Sequence, residues 1–125
     1  MLFQYLDRIV FHQDATVRDV LERFNETAIY TEKSGFAIIT DKEGKCIGVV
    51  TDVDIRVKML KGISINAPIQ TVLNRDFSFV TNTDSSHKIL RQFEKGRANL
   101  PVLDSDSKLV DLFQYSKFVA SSRAE

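Results

Sequence analysis

One hydroxyl and two carboxylates stand close together in the segment GVVTDVDIR, residues 48–56, as Thr51, Asp52 and Asp54. The apolar residues before them are typical of a buried strand, and the residues after them follow a helical period. A helix N-cap needs only one such side chain. The surplus polar groups therefore suggest a ligand site where the strand meets the helix.

The same residues also have a purely structural interpretation. Thr51 and Asp52 are common residue types at helix N-caps, and the helix dipole favours an acidic residue such as Asp54 in the first turn. Arg56 fits a solvated helix face. The residues alone leave both interpretations open, with Asp52 as the natural cap.

Composition limits the classes of partner and site. The 17 Lys and Arg residues balance the 17 Asp and Glu residues, so the charge predicts neither nucleic acid nor a membrane surface as partner. Cys46 is the single cysteine, which excludes an internal disulfide, and two histidines without zinc-ligand spacing argue against a metal site. No apolar run approaches a membrane span and no signal-peptide pattern opens the chain, so a cytoplasmic location is expected.

Hydrophobic periodicity predicts one helix-strand-strand-helix unit in the first half. Apolar residues from Val17 to Phe24 have helical spacing, behind Asp14 and Thr16 as possible caps. Strands are predicted at 36–40 and 46–51, joined by a turn. A second helix begins at Asp52 and can end in a left-handed cap at Gly62.

The second half repeats this order. The segment LPVLD, residues 100–104, matches AIITD, residues 37–41, at an offset of 63, and the helix at 88–93 matches the first helix at an offset of 69. Six extra residues within NETAIYTEKSG, residues 25–35, account for the difference. Two tandem copies are the simplest explanation, and each is expected to need the other to close its core.

The predicted fold class is α+β, with two tandem βαββα repeats packed about a pseudo-twofold axis. The first repeat is assigned to residues 1–65, the second to residues 66–120, and a tail or linker to residues 121–125. Strands at 9–11 and 77–80 should lead into the two copies, and Asn66-Ala67-Pro68 is a plausible helix start between them.

This arrangement resembles a tandem pair of cystathionine-β-synthase (CBS) domains, from about Leu6 to Val119. The most specific part of the resemblance is the pattern Gly48-x-x-Thr51-x-x-Asp54 at the end of the strand. More narrowly, residues 48–75 are similar to the CBS pairs found ahead of bacterial sugar-phosphate nucleotidyltransferase domains.

The resemblance implies a binding site for AMP, ADP, ATP or S-adenosylmethionine in a cleft between the copies. It makes Asp54 the ligand of the ribose hydroxyls and Thr51 its neighbour, with Gly48 leaving room for close approach. A carboxylate can accept from both hydroxyls of a diol, and a helix N-terminus favours a phosphate. The remaining implied contacts are Arg56 for phosphate and, for the base, Val80, Thr81, Ala98, Asn99 and Leu100.

The second copy departs from this pattern. At the offset of 63, Gly48 becomes Asp111, Thr51 becomes Gln114 and Asp54 becomes Lys117. A lysine cannot accept a hydrogen bond from a ribose diol. We therefore expect one nucleotide site at most.

The sequence carries no motif of catalysis. It lacks the Gly-rich phosphate loops and the Gly-x-Ser-x-Gly elbow, and neither His12 nor His87 has triad spacing. A regulatory module that senses an adenine nucleotide for an attached or partner enzyme domain is the leading hypothesis. The alternative is a structural module that binds no ligand and dimerises through its helices, as CBS pairs commonly do.

Overall fold

Each half of the chain forms one three-stranded sheet with helices packed against it. The computed structural model describes residues 6–27 and 35–124. The first half contains α1 (Leu6–Ile9), β1 (Val10–His12), α2 (Val17–Thr27), β2 (Phe36–Thr40), β3 (Cys46–Thr51) and α3 (Asp52–Leu60). The second half contains a short 3-10 helix (Ile69–Thr71), β4 (Val80–Thr81), α4 (Ser86–Phe93), β5 (Asn99–Leu103), β6 (Leu109–Gln114) and α5 (Tyr115–Ala124).

The two sheets have the same topology and the same register. In each sheet the short first strand is parallel to the second, and the second pairs with the third as an antiparallel hairpin. Phe36 pairs with Thr51 in the first sheet as Asn99 pairs with Gln114 in the second. The register also shifts at equivalent points, after Ile39 in one copy and after Val102 in the other. The predicted α+β fold with two repeats is confirmed.

A backbone bridge joins the copies on the pseudo-twofold axis. Lys45 and Lys108, which are equivalent at the offset of 63, form an antiparallel bridge with each other. The bond from Cys46 N–H to the Ser107 carbonyl has a counterpart from Leu109 N–H to the Gly44 carbonyl, at 3.0 and 3.3 Å. The two bonds exchange the roles of the copies, as a twofold relation requires.

The packed core has three parts. A central cluster between the copies joins Ile38 of β2 to Leu112 of β6, with Ile9 and Leu103 beside them. The first repeat has its own cluster beneath α2 and α3, and the second has a smaller one beneath α4 and α5. Because the central cluster takes residues from both copies, burial of apolar area joins the repeats into one structure.

The predicted elements agree with most of the structure. Strands β2 and β3 have the predicted bounds, and the end of α3 is as expected: Gly62 has a φ of 103° and its N–H donates to the Met59 carbonyl at 3.0 Å. The neighbouring Ile63 N–H donates to the Lys58 carbonyl, which completes a Schellman motif.

Three expectations differ from the structure. The strand expected at 77–80 is confined to Val80–Thr81, since only these residues pair with β5. The entry strand of the first copy begins at Val10 because Ile9 ends α1. The residues 121–124, expected to form a tail or linker, continue α5. Within the segment NETAIYTEKSG, residues 28–34 lie outside the described part of the chain.

Within residues 6–27 and 35–124, none of the helices has the length and apolar content needed to cross a bilayer.

Candidate functional site

The motif of Thr51 and Asp54 closes the N-terminus of α3. Thr51 has extended backbone and is the N-cap, and its Oγ1 accepts a hydrogen bond from Asp54 N–H at 3.2 Å. In return, Asp54 Oδ2 accepts from Thr51 N–H at 3.0 Å. This is a capping box, in which two backbone donors of the helix end are satisfied reciprocally.

The expectation that Asp52 is the natural cap is therefore wrong. Asp52 is the first residue of α3, and its carboxylate lies 3.7 Å from Arg56 on the helix surface. The surplus of polar groups at this junction is accounted for in part by the capping box, which uses Thr51 and Asp54 together. The structural interpretation is thus correct for these two residues, although it does not exhaust their hydrogen-bonding capacity.

Each member of the capping box has one hydrogen-bonding group that the helix cap does not use. A hydroxyl can donate once and accept twice, and a carboxylate oxygen has two acceptor sites. Among the described residues, neither the Thr51 hydroxyl hydrogen nor Asp54 Oδ1 has a partner. The pair can therefore offer one donor and one acceptor without breaking the helix cap.

Both side chains line a cleft of about 280 Å³ between the repeats. The first copy contributes residues from β2, β3 and α3, and the second contributes the segment before β4 and the start of β5. The lining consists of Gly35, Phe36, Val49, Thr51, Asp54, Asn74, Phe77, Ser78, Gly96, Arg97, Ala98, Asn99 and Pro101. Four residues that the sequence analysis associated with a ligand, Thr51, Asp54, Ala98 and Asn99, meet at this cleft, and their binding role stays a prediction.

The cleft carries a cation that the sequence analysis did not single out. Arg97, in the turn between α4 and β5, lines the cleft and donates from Nε to Ser78 Oγ at 3.0 Å. This bond orients a guanidinium that remains exposed and keeps further donors. The available signal in the sequence was its position, three residues before the predicted strand LPVLD.

Asn99 places an amide on the opposite wall from the motif. The side chain is 8% exposed, and within the described part of the chain its Oδ1 has no hydrogen-bond partner. The same cleft is lined by apolar surface from Phe36, Phe77 and Pro101. The cleft therefore combines apolar walls with separate polar groups, which is the usual composition of a small-molecule site.

Gly48 makes room for the protein chain. A Cβ at this position would lie 2.4 Å from Leu73 Cδ1 and 2.9 Å from the Asn74 carbonyl oxygen. The next residue, Val49, exchanges two backbone hydrogen bonds with Asn74, at 3.1 and 2.8 Å. The close approach expected at Gly48 is thus made by the segment that links the copies, and Gly48 does not line the cleft.

The other residues that the resemblance implied also lie away from the cleft. Arg56 is exposed and faces Asp52, one helical turn before it. Val80 and Leu100 are fully enclosed in the core of the second repeat. Thr81 N–H donates to Asp84 Oδ2 at 2.9 Å, and this bond lowers the pKa of the Asp84 carboxyl from its usual value.

The equivalent junction in the second copy is built differently. Asp111 is buried where the first copy has Gly48, and its Oδ1 accepts from Leu112 N–H at 2.8 Å. Gln114 is buried in place of Thr51, and Lys117 is exposed on α5 in place of Asp54. The Thr and Asp groups of the first copy therefore have no counterpart at this junction.

Cys46 and His87 lie apart from the cleft in the part of the chain that the structure describes. Cys46 is buried in β3, and this burial raises the pKa of its thiol to about 11. His87 lies 3.0 Å from Arg91 on the surface of α4. Across residues 6–27 and 35–124, no group of three His, Cys, Asp or Glu side chains is placed to hold a metal ion.

Part of the chain matches a known family in sequence. Residues 6–61 match the model of the CBS domain. No curated protein matches the chain by sequence.

Solved structures resemble nearly the whole chain. A CBS domain pair/ACT domain protein from Thermotoga maritima has a TM-score of 0.73 and 25% identity, with 92% of this chain and 88% of that chain covered. The CBS domains of a transcriptional regulator from Streptococcus pneumoniae have a TM-score of 0.74 and 17% identity, over 95% and 93% of the two chains.

A third similar structure is the cytosolic domain of the Mg²⁺ channel MgtE in complex with ATP. It has a TM-score of 0.72 and 19% identity, over 91% of this chain and 44% of that chain. Residues 6–61 thus match the CBS domain in sequence, and the whole chain shares its fold with the CBS structures that it resembles.

Proposed function

We propose that this CBS pair is a regulatory module that binds an adenine nucleotide, or a related adenosyl ligand, in the cleft between its repeats. The observation that carries the proposal is the meeting of Thr51 and Asp54 of the first copy with Ala98 and Asn99 of the second around one cleft. Residues about 45 positions apart in sequence are brought together only by packing of the two copies.

The polar groups of the cleft complement the parts of a nucleotide. Asp54 Oδ1 can accept from a ribose hydroxyl, since Oδ2 is the oxygen used in the capping box. The Thr51 hydroxyl and the N-terminus of α3 favour an oxygen-rich or anionic group. Arg97 adds a guanidinium, the side chain best suited to phosphate.

The size of the cleft favours a compact ligand. Its volume of about 280 Å³ lies near the lower end of the roughly 300–1,000 Å³ range of small-molecule sites. AMP or the adenosyl part of S-adenosylmethionine fits this range, and the further phosphates of ADP or ATP would extend toward solvent. A structure of similar fold, the cytosolic domain of the Mg²⁺ channel MgtE, was obtained in complex with ATP, which supports an adenine nucleotide as the ligand class.

Helix α3 offers a route from the cleft to a partner. Its N-cap lies at the cleft, and Val53, Val57 and Leu60 form an exposed apolar stripe along its outer face, 53, 44 and 89% exposed. If α3 can adopt two orientations, a ligand that binds more tightly to one of them increases the population of that orientation. A partner protein in contact with the apolar stripe would then experience a different surface.

The partner we propose is an enzyme domain, attached or separate. The resemblance of residues 48–75 to CBS pairs that precede sugar-phosphate nucleotidyltransferases suggests this class. Its test is the rate of such an enzyme, joined to or mixed with this module, with and without AMP. A rate that is unchanged by AMP under saturating conditions would reject this partner.

Isothermal titration with AMP, ADP, ATP and S-adenosylmethionine tests the binding proposal. At least one should bind, and Asp54→Ala should abolish or strongly weaken it. Because this change also opens the helix cap, its thermal unfolding must show that the fold persists at the titration temperature. Arg56→Ala, outside the cleft, is the matched control and should bind normally. Failure of all four ligands at millimolar concentration would refute the proposal.

A second candidate function is dimerisation without a ligand. The exposed stripe of Val53, Val57 and Leu60 favours it, because apolar side chains at one-turn spacing on a surface helix are typical of contact faces. Light scattering should then show a dimer that nucleotides do not affect. Leu60→Lys should convert this dimer to monomer, whereas the exposed substitution Lys42→Ala should not.

A further inference from the structure

Helices α2 and α4 are equivalent in the two repeats and share one register. Val20 and Ile89, which the offset of 69 relates, are both buried. At each N-terminus a hydroxyl, that of Thr16 or of Ser85, accepts from the backbone N–H three residues later, at 3.1 and 3.2 Å. The outward-facing positions of the two helices can therefore be compared one by one.

The outward-facing charges of the two helices have opposite signs. Three equivalent positions carry a carboxylate in the first repeat and a cation in the second. The pairs are Asp19 and Lys88, Glu22 and Arg91, and Glu26 and Lys95. All six residues are exposed, and in each repeat they recur at intervals of three and four residues, as neighbours on one helix face do. We call the two sets the acidic face and the basic face.

The two arginines of α2 are engaged within their own chain. Arg18 Nε donates to Asn66 Oδ1 at 3.5 Å, and the Arg23 guanidinium lies over the Phe11 ring, 5.0 Å from its centroid. Side chains held in this way are directed toward the chain's own surface. The carboxylates therefore dominate the outward side of α2.

The middle residue of each face is the one best placed to meet an outside charge. Glu26 lies 3.6 Å from an arginine of α1, and Lys88 lies 3.1 Å from Asp84. Glu22 and Arg91 form no ion pair with an opposite charge in residues 6–27 and 35–124. Each face thus has at its centre a charge that the described residues do not neutralise.

Two copies of the chain can meet about a twofold axis in two orientations. Head to head, each helix meets its own counterpart, so carboxylates face carboxylates and cations face cations. Head to tail, α2 of one copy meets α4 of the other, and the symmetry makes this contact twice. Charges across an interface determine its orientation more than its affinity, because juxtaposed like charges are strongly unfavourable. The inverted signs therefore favour the head-to-tail orientation.

We propose that the acidic and basic faces are docking surfaces for a second copy of this chain, which binds head to tail. This inference rests on the second candidate function, dimerisation, and adds the orientation of the two copies and the helices that determine it. Glu22 of each copy lies opposite Arg91 of the other. Because all three positions are inverted, the residues on either side of this central pair are complementary as well.

Charge reversal on the full chain tests the orientation. Sedimentation equilibrium measures the dissociation constant of the dimer for the wild type, Glu22→Arg, Arg91→Glu and the double variant. Each single reversal should raise the dissociation constant about tenfold or more, since it creates a like-charge contact twice. The double variant should regain the wild-type value, because the pair is restored with its signs exchanged.

A second double variant controls for net charge. Glu43→Arg in the exposed turn between β2 and β3, combined with Arg91→Glu, has the net charge of the wild type but leaves like charges facing each other. It should dimerise as weakly as Arg91→Glu alone. Thermal unfolding establishes that all variants are folded.

The outcomes separate the orientation from dimerisation itself. If Glu22→Arg leaves the dimer unchanged while Leu60→Lys dissociates it, the copies meet through α3 without the acidic face, and the inference is overturned while dimerisation stands. Failure of the first double variant to regain affinity also overturns it. A wild type that stays monomeric at every concentration rejects both dimerisation and the inference.

Discussion

Lys45 and Lys108 are bridged to each other across the two repeats, at the same position of each repeat. Each lies at the end of an acidic turn, and in each turn one aspartate organises the backbone. Asp41 Oδ1 accepts from Glu43 N–H and Lys45 N–H at 2.9 and 3.0 Å, and Asp104 Oδ1 accepts from Asp106 N–H and Lys108 N–H at 2.8 and 3.0 Å.

Because the two turns have the same hydrogen bonds, Asp41→Ala and Asp104→Ala should destabilise the protein to a similar extent. We expect a loss of about 1–3 kcal/mol for each, since two backbone donors lose their acceptor. Urea unfolding of both variants measures this. Lys45→Ala, which keeps the backbone bridge, is the control and should cost much less. A large difference between the two aspartates would contradict the equivalence.

Removal of the cap hydroxyl should weaken α3 in the absence of any ligand. Thr51→Ala loses the acceptor for Asp54 N–H, and we expect a cost of about 1 kcal/mol. Thr51→Ser keeps the hydroxyl and should retain most of the stability. Thermal or urea unfolding without nucleotide makes the comparison, and equal stability of the Ala and Ser variants would show that the capping box contributes little.

An alanine at position 48 should disturb the contact between β3 and the linking segment. The added Cβ would lie 2.4 Å from Leu73 Cδ1, and overpacking of this kind costs roughly 1–3 kcal/mol. Leu73→Ala in the same chain should restore part of the loss, because the Asn74 carbonyl oxygen at 2.9 Å remains. Unchanged stability combined with weaker nucleotide binding would instead make Gly48 a ligand contact.

Arg97 and Arg56 should differ in their effect on phosphate binding. Arg97→Ala should lower the affinity for AMP roughly fivefold and leave adenosine unaffected, since a charge-assisted bond to phosphate is lost. Arg56→Ala should change neither affinity, because Arg56 faces Asp52 on the outer surface of α3. Titration of both variants with AMP and with adenosine shows which arginine contacts the phosphate. The reverse result would place the phosphate at Arg56.

The thiol of Cys46 should be protected from modification and linked to stability at high pH. Burial raises its pKa from 9.0 to about 11, so the neutral thiol is favoured in the folded state. Its contribution to stability is therefore complete below pH 9 and is lost as the pH rises through 11.

A thiol reagent at pH 8 should react slowly with the native protein and rapidly in urea. The difference in unfolding free energy between wild type and Cys46→Ala should diminish between pH 9 and 11. Fast labelling under native conditions would show that β3 opens readily.

The fold could be predicted because the same pattern of helices and strands occurs in both halves of the sequence. The bounds of β2 and β3 follow from apolar runs limited by a turn, and each has a counterpart in the second copy. The segment at 77–79 alternates like a strand but does not pair. Phe77 packs against the central core instead, with the Phe79 ring 5.6 Å away. Alternation of apolar and polar residues indicates that a segment has a buried face and an exposed face. It does not indicate whether another strand lies close enough to pair with it.

The candidate site could be predicted only in part. Thr51 and Asp54 have the spacing of a capping box, so their place at the junction can be read from local sequence. Asp52 is also a common cap residue, and only the structure shows that Thr51 is the N-cap. Arg97 and Asn74 reach the cleft through packing between copies, and local patterns carry no information on that. Gly48 fits the motif of the resemblance, yet its neighbour in space is Leu73, which only the folded structure reveals.

The reciprocal bonds of Thr51 and Asp54 also have a consequence for binding. They fix the rotamers of both side chains before any ligand arrives, with the Asp54 carboxylate already oriented by its own helix. A ligand would then lose little affinity to side-chain ordering at these two positions. In the proposed site, the cap of α3 would therefore be a receptor surface that is ordered before binding, and the fold itself supplies that order.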